Sequence, residues 1–84
     1  MDLVERIRPE YDSLSLHVPI RAKKRMLGEI DVLARKGSKI DIYEVKCSHR
    51  IVKAKRQKRK MHKYLQTKFN FFFYCGSSGS LIML

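Results

Sequence analysis

Three residues in the middle of the chain have the types and spacing to act on a phosphate ester. Asp31 interrupts the apolar run MLGEIDVLA, Glu44 interrupts KIDIYEVKC, and Lys46 follows Glu44 by two positions. A charge inside a sheet is costly unless something binds it. Side chains alternate faces along a strand, so Glu44 and Lys46 share one face while Val45 takes the other. An Asp31 near the end of the neighbouring strand brings its carboxylate towards Glu44. Two carboxylates and a backbone carbonyl make a hard oxygen site suited to Mg²⁺. The cation offsets a repulsion that would otherwise raise one carboxyl's pKa. A lysine ammonium beside that site can orient a water or hold a phosphate oxygen. Together these parts suit metal-assisted phosphodiester hydrolysis. The competing reading is a cross-strand salt-bridge cluster at a sheet edge.

The elements that must position these groups read as one small mixed domain over 1–84. MDLVERI places Leu3, Val4 and Ile7 on one helical face, Asp2 can cap it, and Pro9 ends it. SLSLHVPI alternates, with Leu14, Leu16, Val18 and Ile20 facing one way and Ser13, Ser15 and His17 the other. RAKKR (21–25) is a basic loop. MLGEIDVLA and KIDIYEVKC are the next two strands, joined by a short turn at Gly37. Residues 51–68 lack Gly and Pro and carry a narrow apolar stripe of Ala54, Met61, Tyr64 and Leu65, which predicts a helix. FNFFFYC reads as a strand buried on both faces, GSSG as a turn and SLIML as a last strand. The expectation is an α/β (α+β) fold in the order α-β-β-β-α-β-β, a central mixed sheet flanked by helices.

The 84 residues carry 19 Lys and Arg against 8 Asp and Glu, a net charge of +11, and every acid lies at or before Glu44. Such asymmetry points to a polyanionic partner, most often nucleic acid. An anionic membrane surface is the weaker rival, because the basic stretch lacks a broad apolar face. The candidate phosphate contacts are Arg50, Lys53, Lys55, Arg56, Lys58, Arg59, Lys60 and Lys63. They have no acidic partners three or four residues away to relieve their repulsion. Arg21, Lys23, Lys24 and Arg25 flank the strand carrying Asp31 and can hold DNA beside it.

GEID and EVK, separated by a turn containing Gly, resemble the two metal-binding motifs of the PD-(D/E)xK nuclease superfamily. The order of elements resembles that family's restriction-endonuclease-like core over nearly the whole chain. Two branches look most similar: the archaeal Holliday junction resolvases, and a bacterial group of small endonuclease-like proteins with a basic helix ending in YL. The resemblance implies Asp31 and Glu44 as ligands of Mg²⁺ or Mn²⁺, the Val45 carbonyl as a third donor, and Lys46 as the catalytic lysine. Glu5 is the counterpart of a helix glutamate that the family often adds, or else part of a capping box. Ile30 stands where the family usually has proline, and Gln57 is followed four residues later by Met61, not tyrosine. The implied activity is hydrolysis of DNA to leave a 5′-phosphate. A homodimer acting on branched DNA is expected from the resolvase likeness, from the small size of the domain, and from the apolar surface of FNFFFY and SLIML. The alternative is a basic protein that binds DNA or RNA without cutting it.

The remaining polar residues have plainer readings. Glu29 is a solvated acid or a support for Asp31. Asp41 is structural and Glu10 is on the surface. His17, His49 and His62 are polar surface residues rather than ligands. Cys47 and Cys75 are small buried thiols, too few and too scattered for a zinc site. Phe69, Phe71, Phe72, Phe73 and Tyr74 belong to the core or an interface rather than to a base-stacking platform. No signal peptide is evident, and no apolar run nears the ~18 residues of a membrane span. A soluble, intracellular protein with no organic cofactor is expected.

Overall fold

The computed structural model describes residues 2–22, 25–46, 51–65 and 68–84. Lys23, Lys24, Cys47, His49 and Arg50, all named above, lie outside the described residues. Helix α1 (Asp2–Ile7) leads through a 3₁₀ turn at Arg8–Glu10 into strands β1 (Ser13–Ala22), β2 (Arg25–Lys36) and β3 (Lys39–Lys46). Helix α2 (Ile51–Tyr64) and strands β4 (Asn70–Cys75) and β5 (Ser80–Met83) follow. The described residues form a small α+β domain with a mixed sheet and two α-helices. The five strands lie in chain order. β1, β2 and β3 are successively antiparallel, β4 runs parallel to β3, and β5 is antiparallel to β4. A parallel neighbour needs a long crossover, and α2 supplies it. The tight turn between β2 and β3 is made by Gly37 at φ 58°, which an L side chain rarely adopts. Its N–H donates to Asp12 Oδ2 at 2.7 Å.

Each face of the sheet is covered by one helix. Leu3, Val4 and Ile7 of α1 pack with Val32, Ala34, Tyr43 and Tyr74. Ala54 and Met61 of α2 pack with Ile20, Ile30, Ile42, Phe71, Phe73 and Cys75 on the other side. Alternation along β4 explains its composition: Phe71, Phe73 and Cys75 serve the α2 layer, Phe72 and Tyr74 the α1 layer. The aromatic run is therefore mostly covered within one chain, with Phe71 and Phe73 fully buried. The apolar side chains left exposed on β5 are Leu81 and Met83. In the α1 layer the Tyr11 hydroxyl donates to Asp41 and lies 2.6 Å from the Tyr43 hydroxyl. Asn70 also donates to Asp41, at 2.9 Å. Asp41 is structural, as expected.

Three expectations are corrected. The basic segment 21–25 is not wholly a loop: β1 runs to Ala22 and β2 starts at Arg25. The helix ends at Tyr64 rather than residue 68. The apolar residues of β1 do not share one face, since Leu14 packs in the α1 layer while Val18 and Ile20 pack in the α2 layer. β2 makes the same switch, with Ile30 in the α2 layer and Val32 and Ala34 in the α1 layer. The change falls where the β1–β2 ladder passes from Leu16↔Val32 to Val18↔Ile30 and skips His17 and Asp31 between them. His17 stands there at φ 53°, an uncommon conformation for a residue with a Cβ.

Candidate metal and nucleic-acid site

The switch in β2 is what delivers Asp31. The β2–β3 ladder ends at Val32↔Tyr43, so Asp31 is the first residue beyond it. Freed from strand pairing, its Oδ2 accepts the Val45 N–H at 2.8 Å. That bond satisfies a backbone donor which the departing strand no longer serves. Val45 thus meets Asp31 through its N–H.

Glu44 and Lys46 continue the face of β3 that carries Ile40 and Ile42, on the α2 side, whereas Val45 packs on the α1 side. Lys46 Nζ lies 3.7 Å from Glu44 Oε1, with the glutamate side chain only 15% exposed. Glu44 Oε2 is shut from solvent and has no hydrogen-bond partner among the described residues. Burial pushes the Glu44 carboxyl above its ordinary value, and the charge on Asp31 pushes the same way. Lys46 and Lys53 oppose the shift. The structure therefore brings Asp31, Glu44 and Lys46 into one electrostatic unit and adds Lys53 from the first turn of α2. A buried carboxylate oxygen without a donor is costly, and a hard cation is the kind of partner that would satisfy it. On that ground the donor set fits Mg²⁺ or Mn²⁺.

The basic residues spread around the solvent side of α2. Lys53, Lys55, Arg56, Arg59, Lys60 and Lys63 are exposed, as are Arg21 and Arg25 at the facing ends of β1 and β2. Lys58 plays a different part, since its Nζ donates to the Leu84 carbonyl at 2.6 Å. Glu5 is exposed on α1. Among the described residues no hydrogen bond or ion pair joins it to Asp31, Glu44 or Lys46.

Two features were missed at the level of sequence. His17 Nδ1 lies 2.9 Å from Glu29 Oε1, and both gather with Asp31. Glu29 is therefore partnered, and His17, exposed as expected, is its partner. Gln57 of α2 lies over Gly28 of β2, where an added Cβ would stand 3.0 Å from Gln57 Nε2. Neither has a local signature; both depend on how β1, β2 and α2 meet.

No protein-family model matches the chain, and no curated protein is significantly similar to it. Among the described residues, no helix is long and apolar enough to cross a membrane.

Proposed function

We propose that this chain is a metal-dependent endonuclease of PD-(D/E)xK type that hydrolyses DNA phosphodiester bonds. The observation that carries the reading is Glu44. Its carboxylate is mostly buried, one oxygen has no donor among the described residues, Asp31 crowds it, and Lys46 stands 3.7 Å away. A protein that only bound nucleic acid would gain nothing from two carboxylates beside a phosphate path, because they repel the ligand. The antiparallel β1–β2–β3 unit, with β4 added in parallel through α2, supports a restriction-endonuclease-like core.

In this reading Asp31, Glu44 and the Val45 carbonyl hold Mg²⁺ or Mn²⁺. Such a cation, when bound, polarises the phosphoryl group and makes hydroxide available near neutral pH. The Asp31 carboxylate is held in place by the Val45 N–H. Lys46 offers a cation to a non-bridging phosphate oxygen or orients the attacking water. Attack at phosphorus breaks the bond to the 3′ oxygen and leaves a 5′-phosphate. Lys53, beside Glu44, leads from the site onto the exposed cations of α2, which hold the flanking phosphates. Arg21 and Arg25 extend that surface on the β1–β2 side, joined in sequence by Lys23 and Lys24.

The test is a panel of linear, single-stranded, flapped and four-way-junction DNA incubated with and without Mg²⁺. Cleavage by the wild type that Asp31→Ala, Glu44→Gln or Lys46→Ala abolishes is the expected result. DNA affinity of the Asp31 and Glu44 variants should hold or rise, because a repulsive charge is gone. Full cleavage by Glu44→Gln would sink the assignment. Binding without cleavage of any substrate would leave a basic nucleic-acid-binding protein.

A further inference from the structure

We propose that His17, Glu29 and Asp31 form a site for a divalent first-row transition-metal ion, bound in part through an imidazole nitrogen. Each offers a ligand atom, and these atoms lie within 4.8 Å of one another. The 2.9 Å between His17 Nδ1 and Glu29 Oε1 is close to the spacing of two adjacent ligands on one ion at bonds of about 2.1 Å. The residues come from two strands at the point where both change face. His17 is there the one described non-glycine residue at positive φ, directly across from Asp31.

A second observation concerns the residue beside Asp31 on the neighbouring strand. Glu44 Oε2, across from Asp31, is shut from solvent and has no hydrogen-bond partner among the described residues. Glu29 and Asp31, two of only eight acids in a chain of net charge +11, stand together here. Lys46 approaches Glu44 Oε1, and among the described residues none donates to Oε2. Donor chemistry then selects the ion. Mg²⁺ takes oxygen donors and keeps its waters, whereas imidazole favours transition metals. The inference goes beyond the oxygen-only set proposed above and rests on that reading only in taking Asp31 as a cation ligand.

Pulsed EPR of the protein with one equivalent of Mn²⁺ tests this without any substrate. The expected spectrum shows the ¹⁴N coupling of a directly bound imidazole. His17→Asn should abolish that coupling, and Glu44→Gln should retain it. Asparagine tolerates positive φ, so the variant should fold, and circular dichroism checks that it does. A spectrum with oxygen ligands alone, a nitrogen coupling that survives His17→Asn, or no bound Mn²⁺ at millimolar concentration would each overturn the proposal. Cleavage without nitrogen coupling would defeat this inference and leave the nuclease reading standing. Nitrogen coupling without cleavage of any DNA would do the reverse.

Discussion

Glu44 carries a charge that its own surroundings resist, and this has an effect on stability separate from any activity. Burial raises its carboxyl pKa in the folded chain. An acid shifted upward disfavours the fold once it ionises: its contribution is best below the unfolded carboxyl's pKa, and stability falls as pH climbs through the folded value. At neutral pH in chelator, Glu44→Gln should therefore melt at a higher temperature than the wild type. Added Mg²⁺ should raise the wild-type midpoint and leave the variant's nearly unmoved. A lower midpoint for Glu44→Gln in chelator would contradict the strained carboxylate. Tyr11 and Tyr43 act at the other end of the pH scale. Desolvation is the main cause that raises both phenols above 10, with Asp41 adding to each. Unfolded phenols ionise near pH 10, so the unfolded state sheds those protons first. The stability held by the pair is intact below that pH and is lost as pH rises beyond it. Absorbance titration should find two of the four tyrosines ionising late. Tyr11→Phe should lose less stability between pH 9 and 11 than the wild type.

At the scale of elements, α2 joins the core to the charge. Ala54 and Met61 face the sheet while Lys55, Arg56, Arg59 and Lys60 ring the outside. Every phosphate that is no longer neutralised should flatten the log–log salt dependence of duplex binding by about 0.9. Replacing Lys55, Arg59 and Lys60 with glutamine should reduce the slope and spare cleavage at saturating protein. An unchanged slope would move the DNA-binding surface off this helix. The same element shows what sequence could reveal. The stripe of α2 was legible because Ala54 and Met61 recur at helical spacing between charges. β3 was legible as an apolar run after a glycine turn, and β4 as an aromatic run too short for a helix. The face change in β1 and β2 was not. SLSLHVPI alternates cleanly as letters, and nothing local reveals that the backbone at His17 turns to positive φ. Asp31, Glu44 and Lys46 could be singled out because each is a charge in an apolar run. His17 could not, since it joins Asp31 only through the register of the β1–β2 pair.

For the molecule as a whole, the expected dimer has a narrower basis than the aromatic run suggested. Phe71 and Phe73 are spent on the protomer's own core, which leaves Leu81 and Met83 on the edge strand β5 as the exposed apolar pair. An edge strand with unpaired backbone groups is a ready partner for a second copy. Light scattering in moderate salt should give twice the 9.9 kDa chain mass. Replacing both residues with lysine should return the monomer. A monomer mass for the wild type removes the two-site argument for branched DNA. Equal rates on linear and four-way DNA would leave a nuclease that is indifferent to shape.

The change of face at His17 and Asp31 divides one hairpin between two layers. Leu14, Val32 and Ala34 answer to α1, while Val18, Ile20 and Ile30 answer to α2. Amide exchange should register that division, because protection follows the cooperative unit in which a residue is packed. Loosening α1 with Leu3→Ala should quicken exchange at 32–34 more than at 28–30. Ala54→Gly in α2 should reverse the order. Asp31 lies at the crossing, where opening either layer moves one of its neighbours and leaves the other as an anchor.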